Sequence, residues 1–493
     1  MTTAARYRFS DGARVGVLLG MSIRQALPIV VGVLWLTLML MVGLPIVGIL
    51  GPIAGVIVAL GRWKRAPLYE VAAPGARLVV ARMRKRSAWR RRSLLAAGPG
   101  FDDDLPEPLR GLELHDLTVA WHPAERVVGI VHDRQAGTVS MVVPVRSEGF
   151  PVASPTEQDA LVASWGAVLA PIARARCPIS RVTWQEWSHP IGVDGHRRFL
   201  EGAGRERNHE TANVDYETLL AAVAPFTIAH EVLLTVTVDL RRIRARKGAS
   251  SFASAVDALV DESRQLVSRS ETAGFATEPP LTPAELSTAI RLRSDPTRAG
   301  ASGAVRRSLA SATGKGVAEW GPMAVEPNWF ETRIDDSWHR SFRFASWPML
   351  PVAADWMNPL LTVDNATRTV TVVLEPVPLA AAAQDANRQL TSIEADQQQK
   401  EQHGFRLTAR ERRRHADVET RERELAEGHP LFRHVGLVTV TAPDLEQLEE
   451  ACTRVEQAAA QSLVDLRPLV ARQAEGWVAS LPLGRSVRQG GWQ

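Results

Sequence analysis

The longest feature in the hydrophobic pattern is a run without charge. From Ala26 to Leu60, 35 consecutive positions carry no ionisable side chain. As one straight helix the run would reach roughly 52 Å, well beyond a hydrocarbon core of about 30 Å. Gly43, Leu44 and Pro45 divide it into spans 26–43 and 45–60. Proline suits the first turn of a second helix because its missing N–H needs no partner there. The pattern predicts a transmembrane helical hairpin over 26–61, following an N-terminal segment 1–25. Arg24 precedes the first span, and Arg62, Trp63, Lys64 and Arg65 follow the second. Positive charge at both ends places both termini in the cytoplasm, with Trp63 as an interfacial anchor. A single tilted span is the alternative, and it would put the rest of the chain outside.

Past the run the periodicity becomes that of a globular protein. Gly98-Pro99-Gly100, three aspartates and Pro106 and Pro108 mark a linker over 98–110. Runs at 117–121, 126–131 and 138–145 have strand character and are broken by turn residues. Ser154, Pro155 and Glu157 form a capping box opening a helix to about residue 172, and Thr282-Pro283-Ala284-Glu285 opens another. Positions 230–240 alternate through Val232, Leu234, Val236 and Val238, the period of a strand. Strands are expected near 339–345 and 369–374. A long charged helix is expected over 379–427, then a strand–helix–strand unit from 432 to 470. These elements imply an α+β class: antiparallel strands, expected in two ferredoxin-like units, with halves over 111–300 and 317–484.

Composition changes this picture little, but charge sharpens it. The net charge of +4 conceals +3 over residues 1–61 and +10 over 62–92, leaving about −9 for the remainder. A general nucleic-acid-binding surface on the large domain is therefore disfavoured. The basic juxtamembrane segment 62–97 contains Arg82, Arg84, Lys85, Arg86, Arg90, Arg91 and Arg92, a cluster suited to an anionic lipid surface. Cys177 and Cys452 are the two cysteines, too few for a disulfide framework.

No catalytic pattern emerges. Gly314-Lys315 lacks the rest of a phosphate loop, since Leu309 and Gly316 occupy the needed positions. His209-Glu210 and His230-Glu231 begin a zinc-protease motif, but Asn213 and Leu234 stand where its second histidine belongs. Neither cysteine has a partner at metal spacing. The expectation is a non-enzyme with no catalytic, cofactor-binding or metal-ligating residue. Five tryptophans from Trp320 to Trp356 recur every nine residues. That spacing alternates faces in strand and helix alike, so it reads as core packing.

The order of features resembles a known family. Tyr7-Arg8-Phe9, Gly16-Val17-Leu18-Leu19-Gly20 and the hairpin are similar to the PrgI-like membrane proteins of type IV secretion systems. The strands over 128–145 and the capped helix with Trp165-Gly166 resemble the N-terminal domain of conjugative-transfer ATPases, the CagE/TrbE/VirB family. So do Gly428-His429-Pro430-Leu431-Phe432 and Ala479-Ser480-Leu481-Pro482-Leu483-Gly484, which look like the segment before the motor domain. Ala318-Glu319-Trp320-Gly321-Pro322 and the stretch from Trp338 to Pro348 fit actinobacterial fusions of these two parts. The sequence ends at 493, where the motor would begin, so no ATP-binding residue carries over. The resemblance implies a scaffold at the inner membrane, in contact with lipids, docking a separate secretion ATPase and forming homo-oligomers. DNA contact would be indirect. A stand-alone membrane enzyme or sensor, and a membrane-tethered DNA-binding adaptor using Arg82 to Arg92, are the alternatives.

Overall fold

The architecture is that of a computed structural model. It describes Tyr7 and residues 23–91, 105–299 and 321–487, apart from 64–65, 85–87, 147–148, 175, 192, 194–195, 198–209, 224–226, 244–249, 349, 403–408 and 427–429. The uncharged run folds as two packed helices, α1 (Ile23–Met41) and α2 (Pro45–Leu60). The turn between them is a Schellman ending. Gly43 lies in the left-handed region at φ 80°, its N–H bonds to Leu40, and the Leu44 N–H reaches back to Met39. Pro45 then begins α2.

The expected transmembrane hairpin requires correction. No helix among the described residues is long and apolar enough to cross a membrane. The 19 residues of α1 and 16 of α2 rise only roughly 24–28 Å, against a core of about 30 Å. Arg24 and Gln25 shorten the apolar part of α1 further, and Pro28 sits inside it. The same turn that divides the run makes each half too short.

A small ladder, β1 (Arg62–Trp63) with β2 (Ala66–Pro67), leads into α3 (Leu68–Met83). Glu70 on α3 pairs with the buried Arg343, and Val71 packs against Val470, so this helix docks on the main domain. The short strand β3 (Trp89–Arg90) joins the main sheet at its edge.

That sheet has 13 strands. A meander opens it: β4 (Leu112–Trp121), β5 (Ala124–Asp133) and β6 (Thr138–Arg146). From β6 the chain follows a βαββαβ path through α4 (Pro155–Leu169), β7 (Ile179–Pro190), α5 (Glu210–Val223), β8 (Ile228–Asp239), α6 (Ser251–Thr272) and β9 (Ala276–Thr277). The spatial order is β9-β6-β8-β7, that of a ferredoxin-like unit. Helix α7 (Pro283–Ser294) closes this half.

The second half repeats the path. After β10 (Ala324–Pro327) and β11 (Thr332–Ile334), the unit runs β12 (Ser337–Ser346), α8 (Asn358–Leu361), β13 (Thr367–Val377), helices α9 (Leu379–Gln402) and α10 (Ala409–Ala426), β14 (Leu431–Ala442), α11 (Leu445–Gln461) and β15 (Asp465–Pro468). Its order, β15-β12-β14-β13, is the same. The two units meet at equivalent strands: β7 and β13 pair antiparallel from Arg368↔Ser188 to Leu374↔Val182. The charged helix expected over 379–427 is α9 and α10, packed against each other.

One face of the sheet packs on α4 and α6 in the first half and on α8 and α11 in the second. The opposite face carries Ser140, Thr183, Gln185, Thr235, Thr237, Ser341, Thr371 and Thr439, all buried. These positions alternate with the apolar ones, so a solvated face would follow from pattern alone. Instead α12 (Gln473–Ala479) and the segment through Val487 cover it. Gln185 donates to the Leu481 and Ala479 carbonyls at 2.9 and 3.3 Å, and Arg181 donates to Gly484 at 2.6 Å. Ser140–Thr237 and Ser341–Thr439, each hydroxyl pair 2.9 Å apart, occupy corresponding places in the two units. Gly484 and Gly476 lie over them, and a Cβ at either glycine would fall within 2.4 Å of those serines.

Two buried polar groups tie loops to this frame. Arg368 on β13 is fully buried and donates to the carbonyls of Leu360, Leu361, Val363 and Ala366 around the end of α8. Burial lowers its pKa to about 10, so it remains a cation at the favourable end of a helix dipole. Replacing it with methionine would strand these acceptors; Arg368→Met is expected to cost about 3 kcal/mol or more, read from the denaturation midpoint.

His339 on β12 is fixed as the neutral Nε2–H tautomer. Its Nε2 donates to the Ser294 carbonyl at 2.8 Å, and Nδ1 accepts from Thr441 at 2.9 Å. Burial lowers its pKa from 6.5 to about 4. The unfolded chain therefore binds a proton below pH 6.5 that the folded chain refuses. Stability from this group is complete above that pH and is lost as pH falls toward 4, by up to about 3 kcal/mol. Unfolding free energies measured from pH 7 to 4.5 should fall with a slope that His339→Gln reduces.

Candidate functional site

The hairpin presents its large side chains outward and its small ones inward. Leu34, Leu38, Leu50 and Ile53 are more than half exposed, and Ile46 is 83% exposed. The buried positions of α2 are Gly48, Gly55 and Ala59. A Cβ on Gly51 would lie 2.8 Å from the Gly32 carbonyl oxygen, and one on Gly55 would lie 2.5 Å from that of Pro28. Glycine thus sets the close approach of the backbones. In water, burying the leucines would be the stronger driving force. Glycine-lined contacts with aliphatic residues outside are the arrangement of helices packed within lipid.

The flanking residues are only partly arranged as expected. Arg24 lies in the first turn of α1, and Arg62 is exposed in β1. Lys64 and Arg65 lie outside the described residues, as do Lys85, Arg86 and Arg92. Trp63, expected as an interfacial anchor, stands edge-on to Trp329 and Phe330 at 5.2 and 5.3 Å. It docks the hairpin on the main domain. Arg82 donates to Asn328 Oδ1, and Arg84 is exposed at the end of α3. Arg90 pairs with Glu326 at 2.9 Å, while the Arg91 backbone N–H bonds to Met323. With Arg333, Asp335 and Asp336, Arg90 and Arg91 line an open cleft of about 420 Å³. The described part of this stretch is therefore tied to the edge of the sheet as well as facing solvent.

Of the motifs carrying the family resemblance, Arg8-Phe9, Gly16 to Gly20, Ala318 to Trp320 and Gly428-His429 lie outside the described residues, and the described ones fall on packing positions. Tyr7 pairs with Val352 through both backbone bonds, and its hydroxyl donates to Asp159 at 3.1 Å. The closing segment, from Ala479 to Leu483, is buried across the seam. Of the spaced tryptophans, Trp347 meets Trp356 at 6.0 Å and His434 at 4.5 Å in the core of the second unit, and Trp320 lies outside the described residues.

Two side-chain clusters were not legible as chemistry. Ser188, His230 and Glu186 gather beside the seam, a set that suggests a nucleophilic triad. Yet the hydroxyl and the carboxylate both meet the same nitrogen, Nδ1, at 3.2 and 2.7 Å. A triad needs the carboxylate on one ring nitrogen and the nucleophile on the other. The adjoining Glu231 accepts from the buried Arg293 at 2.9 Å, which lies over Trp187. The His230-Glu231 pair is thus structural.

The second cluster joins β4 to β5. Glu113 stands directly opposite His132, and His115 follows two residues on, so all three share a face. Glu113 Oε2 lies 3.3 Å from His115 Nε2 and 3.4 Å from His132 Nδ1. Its Oε1 accepts from Arg134 at 2.9 Å. Burial pushes the Glu113 carboxyl up, but Arg134 and the two histidines outweigh it and hold it below the usual range. Burial lowers the His132 pKa, with Glu113 opposing. The signal was present in the sequence. The turn at 122–123 sets a register that, carried back along both strands, brings 113 opposite 132.

Both cysteines are free thiols in different halves, and burial pushes Cys452 up to about 12. No protein-family model matches the chain, and no curated protein matches it.

Proposed function

We propose that the chain is a non-catalytic scaffold subunit of a type IV secretion machine for conjugative DNA transfer. It is held at the inner membrane and docks a separate motor ATPase. The inverted packing of the hairpin carries this reading: aliphatic side chains outside, glycine within, and no charge from Ala26 to Leu60. Such a surface is stable in hydrocarbon and costly in water. In this reading the exposed aliphatic face of the hairpin lies against lipid without crossing it, and both of its ends and the large domain are cytoplasmic. Its lipid contact serves as an anchor.

The rest of the molecule supports a platform. Trp63 and Glu70 fix the hairpin to the domain, and two ferredoxin-like units share one sheet. Helices α9 and α10 pack against each other beyond the ends of β13 and β14, carry dense charge, and offer a contact surface for a motor or for further copies. The motifs similar to the ATPases' N-terminal domain lie in this frame, which supports a docking role without a nucleotide site.

Two measurements test the reading. The full chain should float with phosphatidylglycerol-containing vesicles, and the double variant Leu34→Asp/Leu50→Asp should reduce the bound fraction more than ten-fold, since each carboxylate replaces an exposed aliphatic side chain that would lie against hydrocarbon. Val152→Asp, an exposed change far from the hairpin, should leave flotation intact. Equal flotation of the double variant removes the anchor. Extracted in mild detergent from its own cells, the chain should co-purify as an oligomer with an ATPase bearing a phosphate-binding loop. A lone monomer removes the scaffold.

A further inference from the structure

We propose that Glu113, His115 and His132 form a three-ligand site for a divalent transition metal, of which Zn²⁺ is the best fit. The site is independent of the scaffold reading. Its ligand atoms are Glu113 Oε2, His115 Nε2 and His132 Nδ1, all within 4.8 Å of one another. Zinc binds imidazole nitrogen and carboxylate oxygen at about 2.0–2.1 Å, which in a tetrahedron sets ligand atoms roughly 3.3 Å apart. The two edges from Glu113 already have that length, at 3.3 and 3.4 Å. The third edge, between the two imidazole nitrogens, lies within 4.8 Å.

The surroundings favour a built site over a chance gathering. Arg134 holds Glu113 Oε1 at 2.9 Å, which leaves Oε2 directed between the histidines. This is the orienting hydrogen bond that metal-bound carboxylates commonly receive. Phe252 packs against both imidazoles, with ring centroids 5.3 and 4.7 Å away, and so limits their rotation. Two backbone-paired strands supply all three ligands, so little chain entropy is lost on binding. Glu113 and His115 remain partly exposed, which leaves the fourth position open to water or to a donor from a partner. Two imidazoles select against Mg²⁺ and Ca²⁺, which take oxygen ligands. Arg134 pairs with Glu113 and offsets the carboxylate charge. The site is therefore neutral before metal arrives, which points to moderate affinity and excludes the tight binding of a thiolate site.

The test uses the full chain, stripped with chelator and titrated with Zn²⁺ alone by calorimetry, and with Co²⁺ as a spectroscopic probe. The expected result is one equivalent bound, with the visible absorption of four-coordinate cobalt. His115→Ala and Glu113→Gln should each weaken binding at least ten-fold, and the double variant His115→Ala/His132→Ala should abolish it. His122→Ala, an exposed histidine outside the cluster, should bind as the parent does. Zn²⁺ should also raise the thermal midpoint of the parent and not of His115→Ala. His115 is partly exposed, so this variant should fold; a far-ultraviolet spectrum like the parent's checks it. Absence of stoichiometric binding, or binding unchanged in His115→Ala and Glu113→Gln, overturns the proposal.

Discussion

The pairing of β7 with β13 is the constraint on which the rest of the molecule depends. Each ferredoxin-like unit ends at its second strand with a row of unpaired amides and carbonyls. An exposed edge of that kind invites uncontrolled association. Seven residue pairs from one unit to the other satisfy both edges at once and turn two small sheets into one. The seam is antiparallel and joins equivalent strands, so the units are related by an approximate two-fold axis. Their Ser/Thr pairs, 140–237 and 341–439, fall at matching places for that reason.

The seam creates a second problem, which the C-terminal segment solves. A continuous sheet has two faces to cover, and the helices between the strands of each unit lie on one side only. The other face is polar at alternate positions. Gln185, Arg181 and Gln473 turn this polarity into recognition by bonding the backbone of the covering segment or of β12. Glycine is required at 476 and 484 because the sheet's serine side chains fill the space a Cβ would take. The closing motif from Ala479 to Gly484 thus has a physical basis: it is the piece of chain that fits over a fused pair of units.

Much of this could be read from local pattern, and the misses have physical causes. The capping box at Ser154, the alternation through Val232 to Val238 and the β-α-β closing near residue 470 were legible because caps and period-two burial are local. The burial of Thr235, Thr237 and Ser341 was not. Alternation distinguishes the two faces of a strand but does not say whether a distant segment will cover the polar one. The cluster of Glu113, His115 and His132 escaped for a related reason. Ligand spacing along the chain does not display it, because the β4–β5 turn creates that spacing across the strands. The uncharged run folds as two helices joined at Gly43 to Pro45, but neither is long and apolar enough to cross a membrane, because a tight Schellman turn consumes apolar residues that a crossing would need.

The hairpin and the domain obey opposite packing rules, and the change occurs within a few residues. In the domain, aliphatic side chains point inward and glycines appear where the backbone must pass close to the sheet. In the hairpin, glycines point inward and aliphatic side chains point out. The changeover falls between Leu60, 63% exposed, and Ala66, 5% exposed. Trp63 lies between them, against Trp329 and Phe330. The Glu70–Arg343 pair ties α3, which follows the hairpin, to β12. The same strand holds the covering segment through Gln473, so the contacts that seat the hairpin and those that close the polar face of the sheet converge on β12.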